Sequence, residues 1–178
     1  GLEGGQPARR FADPVGDQMI VFGGGPVDLG QSVNETWLRA FGGAELWSPV
    51  ATSGTKPSAR HGHSAIVDPL SHRMIVFGGA APFALGDTWG LELDGTPAWS
   101  PLAPSGTQPA ARVHHSAIYD PVGARMVVFG GTNYLTPNPT FNDVWALSLD
   151  SSPAWSQLSP AGTPPAPRFD ARAVYDSR

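Results

Sequence analysis

Cysteine is absent from this chain of 178 residues, which excludes disulfides, thiolate metal sites and a cysteine nucleophile. Lysine is nearly absent too, Lys56 standing alone among scattered arginines, and the formal charge of −4 leaves no basic cluster for nucleic acid. No apolar run approaches the roughly 18 residues that a helical bilayer span requires, and the chain opens at Gly1 without a basic, apolar leader pattern. Lack of cysteine leaves the compartment open, an extracellular or cell-envelope setting being marginally preferred. What the chain does have is turn formers, 22 Gly and 19 Pro, beside a 40% hydrophobic content that is enough for a core. That mixture suits many short strands better than long helices.

The second feature is repetition, the first thing to look for in any chain because it dictates the architecture. "DQMIVFGG" (17–24), "HRMIVFGG" (72–79) and "ARMVVFGG" (124–131) are one pattern written three times. Trp37, Trp89 and Trp145 are each followed ten positions later by Trp47, Trp99 and Trp155. Thirteen further on stand Arg60, Arg112 and Arg168, and eight beyond those Asp68, Asp120 and Asp176. Asp13, Asp68 and Asp120 precede Phe22, Phe77 and Phe129 by nine. Only the step from that phenylalanine to the next tryptophan varies (15, 12 and 16), so a single loop absorbs every insertion.

Within a unit, 63–68 and 73–79 read as a hairpin around Asp68-Pro69. "DTWGLEL" (87–93) alternates as a third strand, and "AWSPL" (98–102) forms a fourth. The continuous apolar run Met74–Phe77 predicts a strand covered on both faces by neighbouring sheets. Gly78-Gly79 then marks a strand exit needing positive φ or a close backbone approach. A phosphate-cradling reading of "VFGGG" (21–25) fails, because no helix pattern follows it. The first unit is least regular: Arg39 replaces Leu91 and Leu147, and "AFGGAEL" (40–46) replaces the "LDGTPA" turn, which predicts distorted or exposed outer strands.

Four strands per unit, a period of about 50, Gly-Gly after strand two and tryptophans in strands three and four together resemble the kelch repeat of β-propellers, of the type found in the central domain of galactose oxidase. The expected fold is all-β: one propeller segment over 1–178, with blades at about 8–50, 60–103 and 112–159 and the first strand of a further blade in 168–178. Propellers have four to eight blades, so the ring is incomplete. The chain stops at "VYDSR", where strand two should begin. The reading is a segment of a longer propeller; the alternative is a ring completed by self-association with a second copy.

Alternating strand direction puts the strand 2–3 loops (25–34, 80–86, 132–142) on one face with the segments that lead into the next unit (51–62, 103–114, 159–170). Function is expected there, since variable loops on a rigid scaffold are where binding residues concentrate. Candidate ligand-binding residues are Arg60, Arg112 and Arg168, whose guanidinium groups suit carboxylates, with His61, His114, Phe83, Tyr134 and Phe141. For the arginines the structural reading, satisfying carbonyls or an acid in the adjacent blade, outweighs ligand contact. His61 and His63, two apart, would share one strand face, but no acid or cysteine accompanies them and no metal site is assigned; the repeated His-Ser-Ala start is expected to hydrogen-bond within its blade. Strict recurrence makes the tryptophans packing residues. Each buries roughly 150–250 Å², which at about 25 cal/mol per Å² contributes about 4–6 kcal/mol before entropy.

The resemblance implies a non-catalytic binding or interaction scaffold for a protein or carbohydrate ligand, with no nucleic acid, no membrane span and no cofactor. Its alternative is part of a carbohydrate-active propeller enzyme, similar to galactose oxidase or the bacterial sialic-acid epimerase, with catalytic residues partly outside this chain. The galactose oxidase copper site needs a tyrosine joined to a cysteine, and no catalytic residue is assigned here.

Overall fold

The computed structural model of the chain describes residues 9–13, 15–25, 31–42, 46–135 and 139–177, with side chains from Asp13 onward. Parts of the expected first blade and of the loops 25–34, 40–46 and 132–142 therefore lie outside the described residues. Among those described, regular structure is strand alone. The strands are β1 (Arg9–Asp13), β2 (Gln18–Phe22), β3 (Thr36–Ala40), β4 (Trp47–Pro49), β5 (Ser53–Gly54), β6 (Ser64–Asp68), β7 (Arg73–Phe77), β8 (Thr88–Glu92), β9 (Ala98–Leu102), β10 (Ser105–Gly106), β11 (Ser116–Asp120), β12 (Arg125–Phe129), β13 (Val144–Ser148) and β14 (Ala154–Leu158).

They form three sheets, ordered β1-β2-β3-β4, β5-β9-β8-β7-β6 and β10-β14-β13-β12-β11. In each, four consecutive antiparallel strands make a blade. The second and third blades also carry a fifth strand that the repeat pattern did not announce. After β4 the chain reaches across to the next blade, where Ser53 and Gly54 pair in parallel with Ala98 and Trp99; Ser105 and Gly106 pair likewise with Ala154 and Trp155. The expected strand at 169–176 is not formed. Its backbone is tied to the third blade, Asp170 N–H donating to the His114 carbonyl (2.9 Å) and Ser116 Oγ to the Ala171 carbonyl (2.6 Å), but it pairs with no described strand.

The core lies between the sheets, as the doubly covered second strands require. Ile20 and Phe22 of the first blade pack with Val67, Met74, Val76, Leu91 and Trp99 of the second. Ile66, Ile75 and Phe77 of the second pack with Met126, Val128, Leu147 and Trp155 of the third. The contact repeats in detail: Phe22 meets Trp99, and Phe77 meets Trp155, each at 4.7 Å between ring centroids. Trp99 and Trp155 are 2% and 3% exposed, whereas Trp47, with no described sheet in front of it, is 47% exposed.

The glycine pair follows from this stacking. Gly78 and Gly79 have φ of +64° and +97°. A Cβ on Gly78 would lie 2.6 Å from the Arg112 carbonyl oxygen, and one on Gly79 would lie 2.8 Å from that of His61. Both expected reasons for glycine, positive φ and close approach, operate here. The repeated aspartates fold the first hairpins: Asp13, Asp68 and Asp120 accept the backbone N–H of Val15, Leu70 and Val122, each two residues on.

On the tight-turn face His72 spans two blades. Its Nδ1 meets Asp94 (2.5 Å) and its Nε2 meets Asp13 of the first blade (3.1 Å). The Asp94 hydrogen bond outweighs burial and, with Asp13, raises the His72 pKa above its ordinary 6.5. Burial raises the Asp13 carboxyl, but hydrogen bonds from Gln18, Gly16, His72 and Val15 outweigh it and hold the pKa below 3.8.

Two outcomes are expected. Gly78→Ala should cost about 2–3 kcal/mol in urea denaturation, against about 1 kcal/mol for Gly95→Ala, which also has positive φ (+66°) but nothing within 4 Å. A raised histidine pKa stabilises fully below the unfolded value and its contribution is lost as pH rises through the folded one; a lowered carboxyl pKa stabilises above 3.8 and fails on acidification. The stability gap between wild type and His72→Gln should therefore be widest between about pH 4 and 6.5 and shrink on either side.

Candidate functional site

The loop face is assembled by backbone hydrogen bonds between blades. Arg60 N–H donates to Val33 O and receives Gly24 N–H on its own carbonyl; Arg112 bridges Leu85 and Gly79 in the same way, and Arg168 bridges Phe141 and Gly131. His61 and Ala80, and Val113 and Thr132, form further bridges. Each segment entering a blade is thus stitched to the strand 2–3 loop of the blade before it and to that of its own blade, which brings both loop sets to one face.

Arg60 and Arg112 are fully buried. Arg60 Nη1 and Nη2 grip Asp87 at 2.7 and 2.8 Å, Nη1 also donates to the Gly78 carbonyl, and Nε donates to the Ser58 carbonyl. Arg112 repeats this with Asp143 (2.7 and 3.0 Å), Gly130 and Ala110. The acid belongs to the arginine's own blade, not to the adjacent one as the sequence reading had it. Asp87 and Asp143 also accept the indole N–H of Trp89 and Trp145. Burial raises these carboxyls, but the arginine and indole hydrogen bonds with the arginine charge outweigh it and lower their pKa below 3.8. Neither acid was singled out from the sequence, although an acid stands two residues before each first tryptophan: Glu35, Asp87 and Asp143. Arg168 keeps the backbone bonds of its two counterparts and the same Nε bond, to Ala166 O (2.9 Å), but its side chain lies exposed.

The histidines separate. Gly62 between them adopts φ +63°, which breaks strand alternation, and β6 begins only at Ser64. His63 therefore turns inward against Phe22 (5.4 Å), as His115 does against Phe77 (5.3 Å). His115 Nε2 meets Ser64 Oγ at 2.7 Å, so this repeated serine and histidine bond between blades rather than within one. His61 stays at the rim, 2.9 Å from Ser32 Oγ and with its ring 6.2 Å from that of His114; burial, with the adjacent His114, lowers its pKa below 6.5.

His114 occupies the repeat position of Gly62 and shares its left-handed backbone, φ +59°, as does Asp170 at +53°. The buried His114 ring lies 3.1 Å from Asp170 through Nδ1 and 2.5 Å from the Tyr134 hydroxyl through Nε2. Tyr134 is itself at φ +60°. Three non-glycine residues in a conformation that favours glycine are thus tied in one chain, with Phe169 (6.5 Å) also against the His114 ring. Asp170, Phe169 and Ser32 are additions to the expected set, and only their place in the fold reveals them.

Phe83 is largely exposed and Tyr134 half-exposed. Phe141 instead lies under the Arg112 guanidinium, 4.4 Å from ring centroid to Cζ, where it covers the Arg112–Asp143 pair. Among the described residues no cluster of three His, Asp or Glu side chains is grouped to hold a metal ion. Removing one partner of a buried, bidentate pair leaves the other charge stranded. Arg112→Ala is expected to cost roughly 3–5 kcal/mol in denaturant unfolding, and Asp143→Asn to lose stability in the same assay.

Comparison with known proteins places this architecture. The model of the KLHDC2/KLHL20/DRC7 Kelch-repeats domain matches residues 11–178. The chain is 32% identical to human host cell factor 1 over 131 residues, covering 66% of this chain and 6% of that protein. It is 30% identical to the host cell factor homolog hcf-1 of Caenorhabditis elegans over 184 residues, 91% of this chain and 23% of the relative. It is 34% identical to dynein regulatory complex subunit 7 of Chlamydomonas reinhardtii over 121 residues, 66% of this chain and 10% of the relative. The chain thus spans only a minor part of these relatives. The solved structure of YjhT superposes with a TM-score of 0.64 at 17% identity, over 88% of this chain and 52% of that one, a likeness of fold. With the glycine pairs, tryptophans and stacked four-strand units all in register, the chain belongs to the kelch-repeat family of β-propellers.

Proposed function

We propose that this chain is a non-catalytic binding scaffold that receives a protein or carbohydrate ligand on its loop face. One observation carries the reading: repeated and unrepeated side chains are used differently. The repeated arginines Arg60 and Arg112 are engaged with the acids Asp87 and Asp143 of their own blades, and the repeated histidines His63 and His115 pack against the blade before. The unrepeated His61, His114, Tyr134 and Phe83 gather on the face carrying the variable loops, three of them at its inner rim.

The rim is pre-organised, which reduces the ordering cost of binding. Asp170 and Tyr134 hold the His114 ring from either side, while Phe169 and Tyr134 remain about half-exposed. Exposed aromatics beside fixed polar groups suit both a protein hot spot and a sugar face. The rival enzyme reading draws no support from the repeated acids, since Asp87 and Asp143 are bound to arginine.

A peptide and glycan screen on the purified chain should yield ligands whose affinity falls about tenfold or more in Phe83→Ala, an exposed position, with the unfolding midpoint nearly unchanged, and falls likewise in Tyr134→Ala, where loss of the bond to the buried His114 ring lowers the midpoint as well. Ligands indifferent to both substitutions but displaced by changes at Leu70 or Val122, exposed on the opposite, tight-turn face, would overturn the assignment.

A further inference from the structure

The turn between β8 and β9 carries the chain's one Asp-Gly pair, Asp94-Gly95, and the chain has no Asn-Gly pair. Five residues beyond the first tryptophan of each blade stand Gly42, Asp94 and Asp150, so the pair belongs to the second blade alone. The Asp94 side chain is 80% exposed. Gly95 lies in the left-handed region, φ +66°, and a Cβ there would meet nothing within 4 Å. A glycine amide with no side chain beside it and open space around it is an accessible nucleophile for the carboxyl carbon one residue back. Asp150, at the same place in the third blade, is held differently. It is followed by Ser151, and its Oδ1 accepts the Ser152 N–H at 2.8 Å.

Among the described residues Asp94 is restrained by His72, whose Nδ1 meets Oδ1 at 2.5 Å and whose Nε2 reaches Asp13 of the first blade at 3.1 Å. The bond commits the carboxyl group to a contact across the blade, and any closure of Asp94 onto its own backbone requires that contact to break.

From these observations we infer that Asp94-Gly95 is a site of spontaneous aspartate isomerisation, restrained by the His72 bridge. The Gly95 amide nitrogen attacks Cγ of Asp94. A new N–Cγ bond replaces the amide N–H, and one carboxyl oxygen leaves as water with that proton and the carboxylic-acid proton. Water then opens the five-membered imide. Addition at Cγ restores aspartate, whereas addition at the α-carbonyl leaves the main chain running through Cγ, one methylene longer, with a free carboxylate on Cα. That carboxylate stands on a shorter stem and loses His72, which cuts the link from this turn to Asp13 of the first blade. The product is the chemical class of substrate taken by S-adenosylmethionine-dependent isoaspartate methyltransferases.

Ageing the purified chain in oxygen-18 water, followed by peptide mapping, should place label and isoaspartate at Asp94 about tenfold or more above Asp150, which lacks the following glycine. Gly95→Ala should slow labelling about tenfold or more, because a Cβ then shields the amide. Asp94→Glu, which cannot close a five-membered ring, should abolish it. His72→Gln should speed it about threefold, since the bond that must break is gone. Aged wild type should approach His72→Gln in denaturant stability between about pH 4 and 6.5. Circular dichroism checks the fold of each variant, and Asp94→Glu keeps a carboxylate for His72. Label no higher at Asp94 than at Asp150, or unchanged by Gly95→Ala, would overturn the site. A rate in folded His72→Gln equal to or below that of wild type would overturn the restraint.

Discussion

Every junction between sheets in this molecule turns on the same backbone hydrogen bond, from the second glycine of a pair to the carbonyl of the arginine that opens the next blade. It forms only if the two chains approach closely enough that a Cβ on the first glycine would sit 2.6–2.8 Å from that carbonyl. The glycines are therefore the condition for stacking, and stacking is what buries the apolar second strands and the tryptophans. The arginine side chain completes the junction: its carbonyl serves the preceding blade while its guanidinium binds the acid and the glycine carbonyl of its own. The ion pair contributes little net stability by itself, but it fixes in place the arginine whose carbonyl docks the preceding blade.

That division of labour separates the loop face from the junctions. Residues whose geometry must recur at every junction cannot vary with a ligand, and here they lie inside. Residues that differ from blade to blade are released from that duty, and they collect where the insertions are tolerated. His114 is the clearest case. It stands where Gly62 stands one blade earlier, in a backbone conformation that favours glycine, and its ring is held by Asp170 and Tyr134, two residues with the same backbone sign. A side chain placed at such a cost in strain is a candidate for function rather than packing.

Repeat proteins of this kind are stabilised by neighbour-to-neighbour contacts, so a blade is only as buried as its flanks. The second blade has both flanks covered and reads as core throughout β6 and β7. The first and third have one covered face each, and the same sequence pattern yields Trp47 in water and Phe129 half-buried.

Apart from the strand expected at 169–176, which does not form, the four strands of each blade, their pairing order, the side on which the variable loops emerge and the packing of Trp99 and Trp155 were legible in the sequence, because each depends on local alternation, turn chemistry and exact recurrence. The kelch resemblance rested on that recurrence and holds for the same reason. What the pattern did not contain were contacts set by the position of one blade against another. The parallel strands β5 and β10 are two residues long and have no periodicity to read. His61 and His63 looked like neighbours on one strand face until Gly62 turned the backbone between them. Asp87 and Asp143 recur visibly, but recurrence alone does not say which charge they meet, and Asp170 joins His114 and Tyr134 from residues far apart in sequence. Local physics therefore determined the blades, whereas the partners of polar and aromatic groups across a junction were decided only when the backbones came into contact, since those bonds depend on distances no linear spacing encodes.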